Sequence, residues 1–141
     1  MIQRIQTLWL FLSAASAAIY CYLPIYNGTI LGNPPRDYFV QENLILFALS
    51  ILVAVISFVN IFFFKNRVQQ KILIVANILF TIAVFVLQYF LVETLIKETQ
   101  IIIGNWQIAA ILPLFIVVFH CFAYVGIRKD EKLLSSADRM R

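Results

Sequence analysis

The sequence predicts an all-α membrane protein, a four-transmembrane-helix bundle of up-down-up-down topology. Three observations predict it. Of 141 residues, 62% are hydrophobic and only 13% are charged, whereas a soluble domain carries roughly 45–50% apolar and 25% charged residues. The mean hydropathy is +0.90, an excess too large for a chain this short to bury while still covering itself with polar surface. The apolar residues also gather in four continuous runs, each close to the ~20 residues that carry a helix across a bilayer core. Membrane strands would instead show ~10-residue segments of alternating polarity. These properties exclude an ordinary cytosolic enzyme and a disordered tail. Two cysteines, Cys21 and Cys121, are too few for a secreted disulfide scaffold.

The first expected span covers residues 7–26. Arg4 precedes it, and Ala15-Ser16-Ala17 resembles a signal-peptide cleavage site. Apolarity continues past that point to Ile25, so an uncleaved span is expected. Its small residues, Ser13 to Ala18, allow close helix approach. The following loop, 27–42, carries Gly28, Gly32 and the turn signal Asn33-Pro34-Pro35. Asn27-Gly28-Thr29 is formally a glycosylation sequon.

The second span is expected over 43–64. Residues 65–71 make a short basic turn, which sets the second and third spans side by side as a hairpin. The third span covers 72–92. After it, the β-favouring stretch 99–103 ends at Gly104-Asn105. It either pairs with 29–31 or forms an interfacial apolar turn. The fourth span covers 108–127, and Pro113 should kink it near Ala109–Pro113. No Gly or Pro follows Gly126, so residues 128–141 should continue as a basic helical tail. The chain thus divides into a transmembrane domain, 1–127, and a cytoplasmic tail, 128–141.

Orientation follows from the cations, which concentrate on the cytoplasmic side of membrane proteins. Arg4, the turn (Lys65, Arg67, Lys71) and the tail (Arg128, Lys129, Lys132, Arg139, Arg141) place nine on one side; the other has Arg36 and Lys97. Subtracting Asp130, Glu131 and Asp138 from the nine, and Asp37, Glu42, Glu93 and Glu98 from the two, leaves +6 against −2. Both termini are expected in the cytoplasm. Trp9 and Tyr124 fall near that boundary, and Tyr22, Tyr26, Tyr89 and Trp106 near the opposite one, where amphipathic rings prefer to sit. The net charge of +4 is explained by topology, and no nucleic-acid partner is expected.

The two ends of the chain carry a resemblance. The opening Met1-Ile2-Gln3-Arg4-Ile5-Gln6-Thr7 and the close from Ile127-Arg128-Lys129-Asp130-Glu131 to Asp138-Arg139 resemble those of an uncharacterised four-span inner-membrane protein family of Bacteroidota, a domain of unknown function. The layout between them is similar over the full length. The resemblance implies a bacterial inner (cytoplasmic) membrane and supplies no catalytic residues.

His120 is the single histidine, and an ionisable residue inside a span is a functional candidate by default. It falls ~10 Å inside the cytoplasmic edge. Ser13, Ser57, Asn60 and Asn77 fall at similar depth, so one polar layer of these five residues is expected. Interhelical glue is the favoured reading of that layer; a small binding site or water-filled vestibule is the other. No carboxylate lies in the spans to partner the imidazole, and one histidine with two distant cysteines is a poor metal site. No cofactor, metal or catalytic residue is therefore expected. Gln88 lies at about the depth of Cys21 and Tyr22, where a hydrogen bond is plausible. The cysteines should differ in depth by ~12 Å, too far to bridge. In the tail, Leu133, Leu134, Ala137 and Met140 follow helical spacing, either as part of a solvated orientation signal or as a stripe that docks on a partner. The function expected is that of a structural or accessory membrane protein, not an enzyme, acting by contact with membrane or cytoplasmic partners. The alternative is a small transporter or channel with a polar site on its cytoplasmic side.

Overall fold

The computed structural model describes residues 3–30, 32, 34–63 and 66–139, with side chains from 5 to 133. The element order is α1 (Gln3–Tyr22), β1 (Pro24–Thr29), β2 (Arg36–Phe39), a 3-10 turn (Val40–Glu42), α2 (Leu44–Phe62), α3 (Arg67–Thr99), β3 (Ile103–Trp106), a second 3-10 turn (Ile108–Ile111) and α4 (Leu112–Arg139). The protein is mostly helical, and all four helices are long and apolar enough to cross a membrane.

Local chemistry sets the boundaries. The residue before a proline is pushed out of the α region, so α1 stops at Tyr22, ahead of Leu23-Pro24. Residues 24–26, expected as the last turn of the first span, belong to β1 instead. Asn43 caps α2, its side chain accepting from the amides of Ile45 and Leu46, both at 3.1 Å. Asn66 caps α3 in the same way through Gln69. That helix runs 33 residues, beyond the 72–92 expected, and stops where Gln100 turns left-handed at φ 50°. Pro113 also departs from expectation. It is the second residue of α4, directly after a 3-10 turn. In the first helical turn the missing N–H has no partner to lose, so the ring helps start the helix and no mid-helix kink arises there.

The loops at one end form a three-stranded antiparallel sheet, ordered β2-β1-β3. Of the two alternatives for the second loop, pairing occurs, but over residues 103–106 against 26–29, with Thr29 opposite Ile103 and Tyr26 opposite Trp106. Gly28 lies between Arg36 on one side and Gly104 on the other. A Cβ on Gly104 would overlap the Tyr26 hydroxyl, so the glycine lets that ring lie across the strand. Tyr26 meets Trp106 edge-on at 5.5 Å, and Trp106 stacks on Tyr89 at 6.2 Å.

In the bundle, α1 packs on α2 and α4, and α3 packs on the same two. The buried positions run Gln6, Leu10, Ser13, Ala17, Tyr20 in α1 and Leu46, Ser50, Val53, Ser57, Asn60 in α2. In α3 they are Gln70, Ile74, Asn77, Thr81, Val84, Gln88, and in α4 Ile116, His120, Ala123, Ile127, Asp130. Each of these series steps by alternating threes and fours, the seven-residue period of knobs-into-holes packing; Cys21 and, after a second step of four, Val92 are also buried. The polarity is reversed relative to a soluble bundle. Many seam residues are polar, while Phe11, Ile45, Leu79, Phe90 and Phe115 lie exposed outside.

Candidate functional site

The seam brings one polar residue from each helix to a common level: Ser13 of α1, Ser57 of α2, Asn77 of α3 and His120 of α4, all at 0% exposure. His120 Nδ1 stands 2.8 Å from the carbonyl oxygen of Ile116, one turn back on its own helix. A carbonyl only accepts, so Nδ1 carries a proton and donates. Nε2 is then the acceptor of a neutral ring. It faces Asn77 Nδ2 at 2.9 Å, with the Ser13 and Ser57 hydroxyls at 3.4 Å.

The remaining donors are ordered around this centre. Ser57 donates to the carbonyl of Val53 at 2.8 Å, and Ser13 donates to the Ser57 hydroxyl at 2.9 Å. Asn77 Nδ2 also reaches Ser57 Oγ at 2.8 Å and the Val53 carbonyl at 3.2 Å. The Val53 contact fixes the amide, because a flip would set Asn77 Oδ1 against that carbonyl oxygen. Asn77 Oδ1 itself is buried without a hydrogen-bond partner.

Four of the five residues expected in this layer meet. Asn60 does not join them. It sits one turn nearer the α2–α3 connection, where its Nδ2 donates to the Gln70 carbonyl at 3.4 Å and Gln70 Nε2 donates to the Asn60 carbonyl at 3.5 Å. Depth counted from span ends placed it within a turn of the others, but the seven-residue period assigns it to the next level.

Two further polar layers flank the central one. At the tail end, Gln6 donates through Nε2 to Asp130, both nearly fully buried. Gly126 makes room, since a Cβ there would stand 3.0 Å from Gln6 Cγ. Beside it, Lys71 Nζ lies 2.8 Å from the Glu131 carboxylate. At the sheet end, the Tyr20 hydroxyl donates to Gln88 Oε1 at 2.6 Å, and Gln88 Nε2 donates to the Ala110 carbonyl at 2.9 Å. Gln6, Tyr20, Gln70 and Asp130 were absent from the expected set. Gln6-Ser13-Tyr20 and Gln70-Asn77 at intervals of seven were the available signal.

Buried apolar clusters lie between these polar groups, sharing their levels with the buried Ser50, Thr81 and Asn60. Leu10, Ile74, Ala123 and Ile127 pack together next to the Gln6–Asp130 pair, and Ala17, Val53, Val84 and Ile116 belong to the cluster toward the sheet. Among the described residues no group of three His, Cys, Asp or Glu is placed to hold a metal ion. Both cysteines are free, Cys21 buried and Cys121 exposed. Of the tail stripe, Leu133 is exposed on α4. Leu134 and Ala137 lie on the same helix with side chains outside the described set, and Met140 lies outside the described residues.

The fold and the layered seam define a small helical bundle with four candidate membrane spans and an interior more polar than its exterior. The chain belongs to the family described as a domain of unknown function (DUF4293), whose profile matches residues 2–140. No curated protein matches it, and no solved structure does.

Proposed function

We propose that this protein is a multi-pass component of the bacterial cytoplasmic membrane, with an up-down-up-down bundle and both termini in the cytoplasm. In this reading it works without catalysis, as a structural or accessory subunit in contact with membrane or cytoplasmic partners. The reversed polarity carries the proposal. Among the described residues, eleven that are polar or charged are buried, while large apolar side chains cover every helix exterior. That distribution is costly in water and suits a hydrocarbon surround.

Partner order supports the topology. Along α1, Gln6 meets Asp130, Ser13 approaches His120, and Tyr20 reaches Gln88, which bonds Ala110. Rising numbers on α1 therefore meet falling numbers on the last helix and the 3-10 turn that leads into it. Asn60 with Gln70 and Ser57 with Asn77 give the same opposition for α2 and α3. The cation count supports the orientation: Lys71, Arg128, Lys129 and Lys132 share one end, whereas Arg36 and Lys97 at the other are paired with Glu42 and Glu93.

The interior favours a structural part over a conduit. The His120 ring nitrogens are both engaged by protein groups, and clusters of buried Leu, Ile, Val and Ala lie between the polar groups. An ion would shed its water at each apolar cluster. Purification of the native protein in mild detergent should yield a stoichiometric protein partner. Uptake of a solute by vesicles holding the protein alone would overturn the accessory reading. Reporter fusions after Lys71 and Arg141 should both read cytoplasmic, and an external signal at either would overturn the topology.

A further inference from the structure

We infer that the groove between α3 and α4 at the tail end is a binding site for one anionic phospholipid, its acyl chain along α3 and its headgroup at Lys71 and Arg128. The inference rests on the membrane placement proposed above. The groove has a volume of about 440 Å³ and is lined by Val68, Ile72, Val75, Ala76 and Leu79 of α3, Tyr124 of α4 and Lys71. The α3 side chains recur at helical spacing, so they make one apolar strip running from Lys71 toward the middle of the bundle. Val68, Ile72 and Leu79 are each more than 60% exposed, and Tyr124 forms the opposite wall.

Charge complementarity selects the occupant. Lys71 stands at the groove end that carries Arg128, whose guanidinium lies 5.8 Å from the Tyr124 ring centroid. That stacking holds the cation over the groove wall. Lys129 and Lys132 follow on α4, and Arg67 precedes Lys71 by one turn on α3. Glu131 takes one direction of Lys71, at 2.8 Å, and Asp130 turns inward to Gln6. Lys71 and Arg128 against Glu131 leave the mouth positive, and α3 begins there without an acidic residue in its first turn, an end that favours anions. A zwitterionic lipid would gain the apolar strip but little from the surplus charge. A second copy of the chain would bring like charge to this face.

The test uses the full chain in nanodiscs of mixed phosphatidylcholine and phosphatidylglycerol, released into the gas phase for native mass spectrometry. Wild type should retain phosphatidylglycerol several-fold over phosphatidylcholine, at one molecule per chain. The triple change Lys71→Gln, Glu131→Gln, Arg128→Gln removes the ion pair together and should abolish the preference, while Lys97→Gln at the sheet end should not. Ala76→Trp fills the groove without touching a charge and should displace the lipid from a bundle whose helicity is unchanged. Equal retention of the two lipids by wild type overturns the site. So does undiminished preference in both groove variants, or a dimer cross-linked through Leu79→Cys. Release of the protein from native membranes by alkaline carbonate would instead overturn the membrane placement beneath it.

Discussion

Asn77 donates to His120 from the neighbouring helix, Nδ2 to Nε2 at 2.9 Å, while the other ring nitrogen is tied to the His120 helix itself. The two bonds require one tautomer. Nitrogen NMR of the labelled protein in micelles should show a protonated Nδ1 and a bare Nε2; a proton on Nε2 would remove the structural account. His120→Leu should lower unfolding stability by ~0.6–1.7 kcal/mol, the range of interhelical bonds measured inside a membrane protein. Paired with Asn77→Leu, it should show coupling of similar size in a double-mutant cycle. If the layer only holds helices together, His120→Leu retains biological activity; complete loss with unchanged folding would mark a site.

Tyr20 and Gln88 make the shortest contact of the sheet-end layer, 2.6 Å. Tyr20→Phe keeps the ring and strips the donor, leaving Gln88 Oε1 buried and unpaired. A loss of about 1–2 kcal/mol is expected, visible in denaturant or thermal unfolding in detergent. Stability equal to wild type would show that Gln88 finds another donor.

The cysteines should behave independently. Cys21 is 5% exposed and Cys121 lies on the bundle surface. A micelle-soluble maleimide should add once to the folded protein, at Cys121, and twice after denaturation. Reduction should leave the intact mass unchanged. A two-hydrogen gain assigned to this pair would contradict the arrangement.

Gly104→Ala should damage the sheet. Its new Cβ must displace the Tyr26 ring from between Tyr38 and Trp106, an overpacking cost of typically 1–3 kcal/mol. Gly28→Ala is the control. Its Cβ would meet the end of the Ile101 side chain at 2.8 Å, and a flexible side chain can move aside. Proteolysis of the 99–106 segment should accelerate in the first variant and much less in the second.

The tail separates two jobs. Orientation needs its cations; docking needs its apolar stripe. Leu133→Ser with Met140→Ser keeps every charge and should insert normally. Loss of partner or phenotype in that variant supports docking. Normal behaviour after deletion beyond Lys132 would show that the tail docks nothing.

The sequence carried the four apolar helices plainly, because a continuous apolar run of span length satisfies its own backbone polar groups only as a helix. It also carried the meeting of Ser13, Ser57, Asn77 and His120, through their similar depth. Three features were obscured for physical reasons. Apolarity beyond Pro24 is equally compatible with helix and strand, and only the proline betrays the switch. Arg36-Asp37-Tyr38-Phe39 buries one side chain of four, so β2 has no alternation to read; its partners across the sheet make it a strand. Asn60 was misplaced because depth from a span end is good to a turn, and a turn is the distance between levels of the seam. Reading period before depth would have put it one level beyond Ser57, beside Ile74, from where it reaches Gln70.

The three strands have a mechanical consequence. β1 follows α1 directly, β2 leads into α2, and β3 joins the end of α3 to the start of α4. Backbone hydrogen bonds across the sheet therefore lash all four helices together at one end. At the opposite end, among the described residues, side-chain links such as Gln6–Asp130, Lys71–Glu131 and Asn60–Gln70 supplement the short α2–α3 connection. The molecule is a sheaf bound at one end, and any splaying under load or on engaging a partner begins at the other. Amide exchange should accordingly quicken first near Gln6 and Asp130, with the strands among the last to open.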